Sequence, residues 1–229
     1  MNIEILDLLE GARKAKGLTV VIDVFRAFST ACYAYHKGAG PIYPVGDIAA
    51  AYQLKELMPE ALLVGERDER MPPGFDYGNS PYLLMKGDIS GRPVIHTTSS
   101  GTQGIANALQ ADEIITGSFV NAGAIVRYIE QQKPASVSLV CMGYACSYPT
   151  DEDTLCAIYI QNCLRSAESD FDAMRSQIRN GSGARFFAPD SQSWAPQEDF
   201  DLCLDLNKFD FVLRARQHSN STQLERIDC

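Results

Sequence analysis

No stretch of the sequence approaches the run of about 20 apolar residues that a membrane-spanning helix needs, and no signal-peptide pattern opens it. Neither a membrane anchor nor export is therefore expected. Basic residues are scarce: 20 Lys and Arg against 29 Asp and Glu leave a formal net charge of −9. That balance argues against nucleic acid or an anionic membrane surface as the main partner, because both require a basic face. Histidine is scarcer still, with only His36, His96 and His218. Without an HExxH motif or a nucleophile elbow, zinc-peptidase and serine-hydrolase chemistry fall away. His96, inside a strand pattern, reads as a packed or hydrogen-bonded residue. CxxC pairs and Cys/His metal spacings are also missing. The seven cysteines, at 32, 141, 146, 156, 163, 203 and 229, are an odd set that fits reduced thiols in a cytoplasmic protein. Two sequons, at Asn180 and Asn220, carry no weight without secretion. No lysine follows the Gly-containing run at 97–102, which removes a Walker-type loop. The residues after the first apolar strand read DVFRAFS and so lack the glycines of a dinucleotide site.

What is present is enough apolar material for a full core. Hydrophobic residues make up 45% of the chain, and no Gly/Ser/Pro-rich linker divides it. A single domain over 1–216 with a C-terminal tail over 217–229 is expected. Leu18 to Val24 is a continuous β-branched run, read as a strand buried on both faces, and a helix from Ala27 to Lys37 follows it. A short strand at 41–44, a helix at 48–57 and a strand at 62–65 come next, then a loop over 66–81 with three prolines and two glycines. Strand and helix then alternate: strands at 92–97, 113–117 and 137–142, helices at 102–110, 122–131 and 153–165. A further helix is expected at 169–179, and 200–204 and 209–213 read as a late strand or short helices. The alternation predicts crossover units, hence a three-layer α/β/α sandwich on a mostly parallel sheet that can admit antiparallel members.

In such folds ligands bind beyond the carboxyl ends of the strands, so polar residues that follow strands are the first candidates. An acidic protein that binds an anion must concentrate positive charge locally, and Arg26, Arg67 and Arg70 are available for that. Asp23 and Arg26 follow the first strand. The Asp23 carboxylate could bind a metal, act as a base, or merely cap the next helix, while the Arg26 guanidinium could hold a phosphoryl group by bidentate bonds. Thr97-Thr98-Ser99-Ser100-Gly101-Thr102 lies between a strand and a helix start, where free amides and hydroxyls suit a phosphate or sulfonate. The plain alternative there is a helix N-cap, worth about 1 kcal/mol. Glu66 and Arg67 follow the third strand, and Ser118 and Asn121 follow the fifth. Asp151, Glu152 and Asp153 either complement a helix dipole or add oxygen ligands for Mg²⁺. Asp76 and Asn79 sit in the long loop, a usual place for binding residues.

Taken together, VVIDVFRAFSTA at 20–31, GER at 65–67, GFDYGNSP at 74–81, HTTSSGT at 96–102, GSFVNA at 117–122, LVCMG at 139–143 and DEDTLCA at 151–157 resemble the 2-phosphosulfolactate phosphatase family. The likeness runs on weakly into FDLCLDLNKFDFV at 200–212. The family run reads TTTNGT, and Ser99-Ser100 stand here in place of Thr-Asn. The resemblance implies a Mg²⁺-dependent phosphatase that converts 2-phospho-3-sulfolactate, or a related 2-phospho acid, to the hydroxy acid and phosphate, a step in coenzyme M biosynthesis. On that reading Mg²⁺ is held by Asp23 with one or more of Glu66, Asp151, Glu152 and Asp153. The phosphate is met by Arg26, Arg67, Asn79 and residues Thr98 to Thr102, and the remaining acid group by Ser118 and Asn121. A non-catalytic protein that binds or senses a phospho acid on the same scaffold is the alternative. An apolar helix face would fit either the core or the seam of a homo-oligomer.

Overall fold

Leu18 to Ile22 alternate between two faces, and both faces are buried. Leu18, Val20 and Ile22 join a core shared with Leu139, Ile125, Ile129 and Ile160. Val21 joins a second core with Val140, Ala12 and Phe28. Burying each such Val or Ile side chain contributes about 1.5–3 kcal/mol, so this strand anchors two layers of helices at once. The computed structural model describes residues 1–218 and 221–229; Ser219 and Asn220, with the second sequon, lie outside the described residues.

The chain begins with β1 (Asn2–Asp7), α1 (Leu8–Lys14), β2 (Gly17–Ile22), α2 (Ala27–His36), β3 (Ile42–Pro44), α3 (Ile48–Leu57) and β4 (Leu62–Gly65). It continues through α4 (Pro81–Lys86), β5 (Val94–Thr97), α5 (Gly101–Asn107), β6 (Ala111–Gly117), α6 (Ala122–Gln132), β7 (Ser136–Cys141) and α7 (Asp151–Leu164). It ends with α8 (Phe171–Asn180), α9 (Gln197–Cys203), β8 (Phe211–His218) and β9 (Ser221–Asp228). Between α8 and α9 lies a 3-10 turn, Ser182–Phe187. Among the described residues no helix is long and apolar enough to cross a membrane.

The strands form one nine-stranded sheet in the order β1-β7-β2-β6-β8-β9-β3-β5-β4, and helices cover it as a three-layer α/β/α sandwich. β1, β7, β2 and β6 are mutually parallel, as are β3, β5 and β4. β8 and β9 join the two halves through antiparallel pairings on every side. Because three reversals separate β6 from β3, the two parallel halves run in opposite directions. The sheet is therefore mixed at its centre, with β8 and β9 as the antiparallel members that the expected fold class admits.

The segment expected as a tail over 217–229 is instead the end of β8 and the whole of β9. Leu224 is the one fully buried residue of β9, and it pairs with Ile42 of β3. A strand that buries so little apolar surface of its own is held by ladder partners on both sides, which its sequence does not display. β1 and α4 are also additions to the expected elements. β1 is an edge strand with only intermediate burial, and α4 starts at Pro81 with the Ser80 hydroxyl accepting from the Leu83 amide.

Candidate active site

The charged groups converge beyond the carboxyl ends of four strands. A small pocket is lined by residues that follow β2 (Asp23, Phe25, Arg26), β4 (Glu66, Asp68, Glu69), β5 (Ser99, Ser100) and β7 (Gly143, Tyr144, Ala145), together with Asn79 and Arg185.

Asp23 sits just past β2 and is 4% exposed. Its Oδ1 accepts from the amide of Ala27, 3.0 Å away, at the first residue of α2. Its Oδ2 accepts from the amide of Gly101, 2.7 Å away, at the first residue of α5. Two helix N-termini thus meet on one carboxylate. Gly101 is required by this approach, because a Cβ there would lie 2.8 Å from Asp23 Oδ2 and 2.8 Å from the Ala27 Cβ. Burial pushes the Asp23 pKa up to about 7; the Ala27 and Gly101 amides pull it down, and the charges of Glu66 and Glu152 add to the rise.

Glu66 is held in the same manner. Its Oε1 accepts from the Ser99 amide at 2.7 Å, and its Oε2 from the Ser99 hydroxyl at 3.0 Å and the Glu69 amide at 2.9 Å. The Ser99 amide and hydroxyl and the Gly101 amide are therefore committed to the protein's own carboxylates. At the start of α5 the place expected for a substrate anion is taken by Asp23, while Ser99 and Ser100 of the run still line the pocket. Thr98 and Thr102 are buried and bond each other through backbone and hydroxyl groups, and neither lines the pocket. The Ser100 hydroxyl donates to the Gly143 carbonyl at 2.8 Å, so the Ser99-Ser100 pair fastens the loop to Glu66 and to the end of β7.

Other expected residues are placed away from the pocket. The Arg67 guanidinium donates to the carbonyls of Glu66 and Gly46 and to the Thr97 hydroxyl, which ties strand ends together. Arg70 stacks on Trp194, 3.7 Å from the ring centroid. Ser118 and Asn121 are fully buried, and each closes the other's cap in the turn before α6, with the Ser118 hydroxyl also bonded to Ser29. They have no surface left for a substrate acid group. Asp151 accepts from the Ser182 amide and the Gln177 side chain, on the far side of the α7 start. Glu152 is buried against the Ser182 hydroxyl. Asp153 stitches β2 to β7, with Oδ1 accepting from the Val24 amide and Oδ2 from the Gly143 amide, both at 2.8 Å. Burial raises the pKa of both Glu152 and Asp153. Asn79 does line the pocket, and its Oδ1 lies 3.2 Å from His96 Nε2, which gives His96 the hydrogen-bonded role its position suggested.

Arg26 is 5% exposed. Its Nη1 donates to Asp199 Oδ2 at 2.6 Å and to the Trp194 carbonyl at 2.8 Å, while Nε and Nη2 have no protein partner among the described residues. Asp199 is fully buried and also accepts from the Ser80 hydroxyl and the Tyr82 amide. Asp199, Trp194 and Arg185 all come from the segment after α8. No strand end precedes them, so reasoning from strand ends could not find them. Their only signal is polarity within an otherwise unpatterned stretch.

Of the four carboxylates that line the pocket, Asp23 and Glu66 are the buried pair, and each keeps oxygen lone pairs beyond those used by its hydrogen-bond donors, whereas Asp68 and Glu69 stand nearer the solvent. Among the described residues no three Asp, Glu, His or Cys side chains converge as a self-contained metal site. Mg²⁺ ordinarily takes one or two carboxylates and completes its shell with water and substrate phosphate. The donor set fits an ion of that kind, shared with a ligand, and does not fit an all-protein cage.

Residues 3–218 match the family of 2-phosphosulpholactate phosphatase. The chain belongs to the 2-phosphosulpholactate phosphatase family. Among the family's curated proteins, one from Thermotoga petrophila is 37% identical over 64% of this chain and 63% of its own length. One from Caldanaerobacter subterraneus is 30% identical over 84% of this chain and 85% of its own, and one from Bacillus subtilis 28% identical over 92% of each. All three are named probable 2-phosphosulfolactate phosphatase. For the first of these relatives the matched region spans about three fifths of its length.

Proposed function

We propose that this chain is a Mg²⁺-dependent phosphatase that hydrolyses the phosphate monoester of 2-phospho-3-sulfolactate, or a related 2-phospho acid, to the hydroxy acid and phosphate. The observation that carries the reading is the pocket that sets the Asp23 and Glu66 carboxylates beside a nine-tenths-buried guanidinium with two free donor nitrogens. Family membership and the names of the relatives support the same reaction.

Asp23 and Glu66 would hold Mg²⁺. When bound, the ion would neutralise charge on the phosphoryl oxygens and orient the attacking water. The chain's own part is positioning. The amides of Ala27, Gly101 and Ser99 fix both carboxylates, and Asp153 locks the ends of β2 and β7 behind them. Arg26, held in one orientation by Asp199, offsets charge that grows on the equatorial oxygens. Seven free cysteines support a reducing, cytoplasmic setting, and coenzyme M biosynthesis is the pathway this substrate implies.

The test is phosphate release from a panel of 2-phospho acids with and without Mg²⁺. The reading expects release that depends on Mg²⁺ and disappears on chelation. Tight binding of the same acids without release would instead favour a sensing protein on this scaffold.

A further inference from the structure

Arg185 is the second guanidinium of the pocket, and no strand end or recognisable motif announces it. It lies in the 3-10 turn Ser182–Phe187. Its Nε pairs with Glu69 Oε1 at 2.9 Å, its Nη1 donates to the Ser182 carbonyl at 3.0 Å, and Nη2 has no partner among the described residues. The Phe25 and Phe186 ring centroids lie 5.6 and 5.2 Å from the guanidinium carbon.

The two arginines differ in what restrains them. Arg26 is paired with a fully buried carboxylate, whereas the Arg185 and Glu69 side chains are 22% and 21% exposed. The Arg185–Glu69 pair is reached by water, so another anion can compete with Glu69 there, where none can compete with the buried Asp199. Glu69 is presented by two successive left-handed residues, Asp68 at φ 48° and Glu69 at φ 64°, within a turn closed by paired backbone bonds between Arg67 and Arg70. The pocket is a narrow cleft open to solvent, and its water-accessible part is about 30 Å³. The Glu69–Arg185 contact spans two separate segments of its wall, so a phosphorylated acid that settles there meets this ion pair.

We infer that Arg185 is the specificity-determining residue for the acid group that the substrate carries on C3, and that Glu69 stands in for that group until substrate displaces it. The inference rests on the phosphatase reading above. The ligand chemistry is a sulfonate or carboxylate at the end of a 2-phospho acid remote from its phosphate. With Arg26 engaged at the phosphoryl group, Arg185 is the remaining cation among the residues that line the pocket.

Steady-state kinetics on three esters tests it: 2-phospho-3-sulfolactate, 2-phosphomalate, and 2-phospholactate, whose C3 is a plain methyl group. Arg185→Ala should raise KM about 10- to 100-fold for whichever C3 acid the wild type accepts, as loss of a charge-assisted contact does, with kcat and the KM for 2-phospholactate unchanged. Arg185→Lys should recover part of that loss, and Glu69→Gln should lower KM for the C3 acid by removing its competitor. Calorimetry with 3-sulfolactate should show weaker binding to Arg185→Ala and tighter binding to Glu69→Gln. An equal rise in KM for 2-phospholactate, or weaker binding by Glu69→Gln, overturns the role of Arg185 while leaving the phosphatase reading intact. If the wild type releases phosphate from none of the esters, the phosphatase reading fails and this inference fails with it.

Discussion

The loops that follow β2, β4 and β5 and the segment between α8 and α9 both line the pocket, and they hold their charged groups by different means. In the strand-end loops each carboxylate is gripped by backbone amides: Asp23 by Ala27 and Gly101, Glu66 by Ser99 and Glu69. In the capping segment, which includes Asp199 at the start of α9, the charged groups are also paired with oppositely charged side chains: Asp199 with Arg26, besides the Ser80 hydroxyl and Tyr82 amide, and Arg185 with Glu69, besides the Ser182 carbonyl. Backbone amides fix a group wherever the fold is formed, whereas side-chain partners can be exchanged. The first wall is suited to an invariant step, and the second to reading what varies among substrates.

The largest expected effect comes from cutting the buried ion pair between the walls, Arg26–Asp199. Asp199→Ala leaves the buried Arg26 guanidinium without its counter-charge and also orphans Ser80 Oγ and the Tyr82 amide. Urea unfolding should show a loss of about 3–5 kcal/mol, the usual cost of breaking a buried pair from one side. A loss no larger than that of an exposed ion pair would show that the capping segment is not anchored through Arg26.

A smaller effect is expected from acid on the strand-end wall. Burial lowers the pKa of His96 from the usual 6.5 to about 4. The unfolded chain takes up its proton at the usual value while the folded chain does not. The stabilisation is therefore complete above pH 6.5 and is lost as pH falls from there to about 4, by about 3 kcal/mol in all. His96→Gln removes the titrating ring, so its unfolding midpoint should fall less than that of the wild type across this range. Parallel curves would contradict a neutral buried His96.

Gly101→Ala is the finest probe of how the loops hold Asp23. The added Cβ would press on Asp23 Oδ2 and the Ala27 Cβ, each 2.8 Å away, and the strain should cost about 1–3 kcal/mol. If the account is right, phosphate release falls as the carboxylate shifts, while the KM set by Arg185 does not. A variant with wild-type turnover would mean that the convergence of α2 and α5 on Asp23 has no bearing on the chemistry.

Much of the fold was legible because its strands bury both faces. The 62–65 strand and the 48–57 helix are found where the pattern placed them, the helix with Asp47 accepting from the Ala50 amide as its N-cap. β1 and β9 were not legible, since their order comes from neighbours: β1 pairs only with β7, and β9 buries only Leu224 fully. In the site, Asp23 was legible as a charge at the mouth of an apolar strand, and Glu66 as a carboxylate directly after another. The 97–102 run was legible as an anion holder but not as the holder of internal anions. A sequence shows that amides are free at a helix start, and only the packing of α2 against α5 shows that Asp23 already fills the place. Arg185 and Asp199 were illegible because they act from a 3-10 turn and a short helix that carry no strand-end signature.

The central claim is that the pocket around Asp23 performs phosphate release, and one measurement tests it directly. Mg²⁺-dependent hydrolysis of 2-phospho-3-sulfolactate should be compared between the wild type and Asp23→Asn, with circular dichroism to verify that both are folded. The account predicts turnover by the wild type and a loss of about 10³-fold or more in the folded variant, on the scale of removing a principal electrostatic group. Near-normal phosphate release by a folded Asp23→Asn protein would contradict it.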